Sequence, residues 1–258
     1  MVHNGISITI IVFVAVIMIG SLVTPITFVE AKTHKPAKAY MPVICLPKII
    51  EAEINDSVQV NGFCVIRDST VNGNIYLNDI GDNVIYNQNS IINGNIEGVS
   101  CNQIVSIDGT INGNIEAVGC DVVHLTDTSV INGFVEVIDC RVISIFGESS
   151  FTGNVEAEGC NRVIIGEEST LVGNFEISDC IDASFRSEAK ITGNFEVEDC
   201  DLVVIGNASM VKGNVELKNI GFFVVAQNVI IDGNLICVNV SGGFIHPSAT
   251  ITGFIRGC

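Results

Sequence analysis

The chain predicts an all-β fold: a single-stranded right-handed parallel β-helix of about ten 20-residue coils, preceded by an N-terminal apolar helix. Three observations lead there. First, a glycine-centred phrase recurs ten times, in its fullest form Ile111-Asn112-Gly113-Asn114-Ile115-Glu116. Its glycines run from Gly73 to Gly253 at spacings of 21, 19 and then 20 seven times. A fixed period of this length marks a solenoid, in which each repeat stacks only on its neighbours. Second, the residues two before and two after each glycine are all apolar, from Val71 and Ile75 to Ile251 and Ile255. Such alternation reads as a strand with one buried face. Third, a β-branched alternating stretch follows, as in Val123 and Leu125, Ile143 and Ile145, or Val163 and Ile165. Each repeat is therefore expected to hold two short strands and two turns. Stacked coils lie about 4.8 Å apart, and β-crossovers within one sheet strongly favour the right hand.

In chain order, residues 1–31 read as a signal peptide or N-terminal membrane anchor. Ile6 to Val29 is almost unbroken apolar sequence, long enough to cross a bilayer. Val29-Glu30-Ala31 fits a small-x-small cleavage pattern. No Lys or Arg precedes the run, while Lys32, Lys35 and Lys38 follow it. In an uncleaved anchor that bias favours a cytoplasmic C-terminus; the cysteines considered below favour export instead. Residues 32–48 carry three prolines and read as a linker. Residues 49–258 read as the β-helix, with atypical capping coils at both ends. The first coil has Gly62 without the full phrase, and the Gly73 coil carries Tyr76 where later coils carry Glu. Towards the other end the same position becomes Ile236 and then Arg256.

Hydrophobic residues make up 48% of the chain, enough for a continuous core, and the formal net charge is −17. From Ser57 onward there are 25 acids against 8 bases, so the repeats carry that whole charge. Such a field excludes nucleic acid as a partner and suits cations, basic proteins or cationic surfaces.

Two columns carry candidate chemistry. The first is Glu97, Glu116, Glu136, Glu156, Glu176, Glu196 and Glu216, expected to face solvent beside Asn95, Asn114, Asn154, Asn174, Asn194 and Asn214. Carboxylates stacked at the strand spacing repel by about 1 kcal/mol per neighbour even in water. One reading is a linear cation ladder over Glu116, Glu136, Glu156, Glu176 and Glu196, taking Ca²⁺ with Asn carbonyls as extra oxygen ligands. The other is a solvated acidic face that keeps the solenoid soluble. No other cofactor is expected.

The second column is Cys101, Cys120, Cys140, Cys160, Cys180 and Cys200, at steps of 19 and then 20. Equivalent positions on adjacent coils fall within disulfide reach. The spacing fits neighbour pairs and buried free thiols equally well. Cys45 with Cys64 and Cys237 with Cys258 are each one coil apart, at the two ends. A disulfide at each frayed end is where a cross-link helps most. An even ten cysteines arranged in this way point to an oxidising compartment, hence a secreted or cell-surface protein. There is no C-x-x-C, and His124 is the only histidine near the column, which disfavours zinc. Asn55, Asn207 and Asn239 head Asn-x-Ser sequons, a pattern that chance supplies readily in such a repeat.

The repeated Val71-Asn72-Gly73-Asn74-Ile75 and Ile111-Asn112-Gly113-Asn114-Ile115 resemble the G-N-[IV] turns of bactofilins, polymer-forming parallel β-helix proteins. They are also similar to those of secreted bacterial repeat proteins with V-x-G-N-V coils and cysteines near each end. The resemblance covers Val71 to Ile255. It implies a β-helix and self-assembly and carries over no active site. The export-type N-terminus, the cysteine column and the coil length depart from the bactofilin pattern.

The function expected on these grounds is a non-catalytic exported rod with a structural or surface-interaction role, associating with itself or contacting a cell surface or polysaccharide. Its N-terminal segment would enter the membrane at least during export. A polysaccharide-binding or polysaccharide-degrading β-helix and a cation-binding acidic rod are the alternatives. Catalysis on this fold needs long loops that break the repeat, and here the coil length barely varies. An ice-binding surface would want an uncharged threonine array in place of Asn and Glu.

Overall fold

In the computed structural model, which describes residues 43–45, 48–78 and 83–258, the glycine of each phrase is a corner. The expected signal peptide or anchor, its apolar helix and most of the linker lie outside the described residues. All regular structure among the described residues is β-strand. Every pairing is parallel and joins equivalent residues of successive coils, as in Ile115↔Val135 and Glu116↔Glu136. The chain is thus a parallel β-solenoid of about ten turns.

A coil contains three strands, where the sequence pattern suggested two. In the coil of Gly113 they are Thr110–Ile111, Ile115–Val118 and Val122–Thr126. The apolar residues on either side of the glycine both point inward, but they belong to different sheets. The strands before the glycines form one 11-stranded sheet among the described residues. The other two kinds of strand form a 21-stranded sheet. They merge because Phe175–Phe185 and Phe195–Ile205 continue unbroken across the cysteine corner, with Cys180 opposite Cys200. Stacking also begins earlier than Ile49, since Val43–Cys45 already pairs with Val58–Val60.

Three kinds of residue make the corners. At the first, a Cβ on Gly173 would meet the carbonyl oxygen of Gly153 at 2.0 Å, so only glycine lets the coils approach. At the second, the residue before each ladder cysteine is left-handed: Asp139, Asp179 and Asp199 have φ of 53°, 55° and 54°. Short polar side chains tolerate that conformation. At the third, a left-handed residue such as Asp127 or Gly147 precedes a buried serine, here Ser129 and Ser149. Ser129 Oγ donates to Thr126 O at 2.7 Å and Ser149 Oγ to Phe146 O at 2.6 Å, which satisfies the buried hydroxyls.

The core runs unbroken along the stack as columns of Ile, Val, Leu and Cys. It is widest in side-chain volume where Phe175, Phe185 and Phe195 meet, with centroids 4.5–5.8 Å apart.

Candidate functional site

The glutamates do form one outward column on the strand after each glycine, in register from Glu97 to Glu216. Glu116, Glu156 and Glu176 are exposed, and Glu136 and Glu196 are half-buried. Glu158 and Glu198 add acids two residues further along the strand, and Glu198 lines a shallow groove with Glu156, Glu176, Ile177, Ser178 and Glu196. The column is partly neutralised at one point. Lys218 Nζ contacts Glu196 Oε1 and lies 3.4 Å from Glu216 Oε1, and these contacts hold its ammonium above the ordinary lysine range.

The asparagines beside the glutamates are engaged elsewhere. Asn95 Oδ1 accepts the backbone N–H of Asn114 at 2.9 Å, and Asn154, Asn174 and Asn194 each accept from the equivalent residue one coil on. These carbonyls thereby satisfy backbone donors at the glycine corner. Among the described residues no three His, Cys, Asp or Glu side chains converge as a metal centre requires. A second asparagine ladder went unread in the sequence. Asn93, Asn112 and Asn132 each donate Nδ2 to Oδ1 of the preceding member, at 2.8–2.9 Å, beginning on Asn72. Its signal was the Asn before the glycine in four consecutive coils.

The cysteines divide into three groups. Cys45–Cys64 and Cys237–Cys258 are bonded, with Cα atoms 5.8 and 5.0 Å apart. In the column, Cys101–Cys120 and Cys180–Cys200 are bonded, with Cα atoms 4.5 and 4.6 Å apart. Cys140 and Cys160 between them are buried free thiols.

One Ser–His contact deserves a chemical reading. His124 Nδ1 lies 2.6 Å from Ser144 Oγ, and burial holds the imidazole below its ordinary pKa of 6.5. Ser144 is itself buried, and the ring of Phe146 lies 5.7 Å from that of His124. Among the described residues no hydrogen bond joins a carboxylate to His124.

The last coil differs from all others. Gly243–Ile245, Thr250–Ile251 and Ile255–Arg256 pair with the coil before, and no described strand pairs with their other edge. Phe244, Phe254 and Ile255 are 51%, 54% and 51% exposed, and Ile245 and Ile251 are only half-buried. From Gly221 to Cys258 the side chains include one acid, Asp232, and one base, Arg256. The glutamate column itself ends in Ile236 and Arg256. This edge exposes apolar side chains, pairs with no further described strand and carries no acidic side chain, on a chain of net charge −17.

Comparison with family models, with curated proteins and with solved structures returned no match.

Proposed function

We propose that this chain is a non-catalytic structural solenoid, exported to the cell surface or beyond, that associates end to end with further copies of itself. In this reading the coil is right-handed, and residues 1–31 enter the membrane during export. The observation that carries the proposal is the edge at Gly243–Arg256. An unpaired strand edge is a template for another chain, and here it adjoins exposed Phe244, Phe254 and Ile255. The lack of acidic side chains matters as much as the apolar surface. Two copies meeting through their glutamate faces would bring like charges together, whereas two meeting at this edge would not. Four bonded cysteine pairs support an oxidising compartment. Coils of nearly constant length, with no loop inserted between them among the described residues, support a non-catalytic role.

Sedimentation velocity over a wide concentration range tests this. The parent is expected to associate with rising concentration and an Ile255→Glu variant to remain monomeric. The substitution falls on an exposed side chain, so the fold should survive it. A parent that stays monomeric at high concentration, or a variant that associates as the parent does, removes the proposal.

A further inference from the structure

The cysteine column holds chemistry that self-association does not use. Strands on both sides of the cysteine corner stay in register through its middle: Ile138↔Glu158 before it and Val142↔Arg162 after it. Cys140 is therefore stacked on Cys160. Val118↔Ile138 and Val122↔Val142 stack Cys120 on Cys140 in the same way. The bonded steps and the free ones share the same strand register. A disulfide between stacked positions joins neighbouring coils, and the next cysteine of the column lies one coil further along the stack. Thiol–disulfide exchange proceeds by attack of a thiolate on a disulfide sulfur.

We propose that the column exchanges its disulfides internally. The Cys140 thiolate attacks Cys120 Sγ, the Cys120–Cys140 bond forms, and Cys101 leaves as a thiolate that takes up the proton Cys140 gave away. The Cys160 thiolate then attacks Cys140 Sγ and expels Cys120, leaving a Cys140–Cys160 bond. At each step one S–S bond forms as one breaks. Two bonds and two thiols persist, and no oxidant or reductant is consumed. The free thiols are thus positions shared along the column.

The surroundings set the rate. Burial pushes the Cys140 thiol up to about 12; Cys160 and Asp139 add to the shift, and the backbone N–H groups of Cys120 and Gly119 oppose it. The Cys160 thiol is raised by burial and by Asp139, with the Cys140 backbone opposing. The adjacent Arg141 guanidinium is occupied by Asp121. The thiolate is therefore scarce at neutral pH, and exchange should accelerate about tenfold per pH unit below the thiol pKa.

The test is to hold the oxidised full chain without oxygen or added thiol at a series of pH values. Samples are quenched in acid, digested unreduced and mapped by mass spectrometry. Peptides linked through Cys120–Cys140 and Cys140–Cys160 are expected, appearing about tenfold faster per pH unit, with two free thiols per chain throughout. Circular dichroism must show the fold intact at each pH. Thiols that stay at Cys140 and Cys160 at every pH overturn the proposal. So does reshuffling of the column in a Cys140→Ala, Cys160→Ala double variant, which has no internal attacking group; alanine suits these small buried positions.

Discussion

Replacing Gly173 by alanine probes the corner on which all the stacking depends. The new Cβ would lie 2.0 Å from the Gly153 carbonyl oxygen, 2.5 Å from its carbon and 3.1 Å from Asn154 N. These are backbone atoms, so no rotamer change relieves the clash. Gly173 also has φ +148°, which costs a non-glycine residue about 1–3 kcal/mol. Relief means separating these two coils, and that strains the bonds Gly153 N–H to Val172 O and Val155 N–H to Asn174 O, at 2.9 and 3.0 Å. Each is worth about 1 kcal/mol, so the expected loss is about 3–5 kcal/mol. The control is Gly119→Asn. Gly119 has φ +64° with its nearest neighbour at 3.7 Å, and Asp139, Asp179 and Asn219 hold that conformation in other coils. Its effect should stay within about 0.5 kcal/mol. Urea unfolding followed by circular dichroism measures both, with every transition fitted because a solenoid need not unfold all at once. If Gly173→Ala unfolds within about 1 kcal/mol of the parent, or the control loses as much, the corner does not depend on close approach.

Two further outcomes are expected. Cys258→Ser opens a bond between residues 21 apart, worth about 3 kcal/mol of chain entropy, so protease should cut the last coil first; unchanged resistance there would show that the coil is held by packing alone. His124 gives a pH signature: burial lowers its pKa from 6.5, against the opposing charge of Asp127. The unfolded chain then binds the proton more readily than the fold, so stability falls as pH drops through about 6.5 and levels off below the folded pKa. A His124→Gln variant should lack that component when urea midpoints are compared between about pH 7.5 and 5; an equal slope in the variant would assign the effect to other groups.

The period, the parallel stacking and the outward glutamates were legible because each is a column property, repeated until chance is excluded. The third strand was not. Residues two before and two after the glycine face the core in either geometry, so Ile111 and Ile115 read as one strand when a corner divides them. The signal that could have separated them is the glycine itself, invariant from Gly73 to Gly253, a demand no straight strand makes. The other corners were written in Asp139, Asp179 and Asp199 and in Ser129, Ser149 and Ser169, residues read only as part of the repeat. Which ladder cysteines bond was illegible for a different reason: a uniform step gives every neighbour pair the same geometry. The half-open last coil was legible only as a lapse of the pattern, because exposure of Phe254 and Ile255 depends on what stacks beyond them.

The disulfides join only adjacent coils, at separations of 19, 19, 20 and 21 residues. Under a stretching force this decides how far the chain can yield. Each bond shunts tension past one coil and withholds roughly 70 Å of extended chain. Coils between Cys64 and Cys101, between Cys120 and Cys180, and between Cys200 and Cys237 have no such shunt and can pay out fully, so a pulled molecule lengthens in three stretches, the longest in its middle, while the four bonded coils between and beyond them hold their ends together.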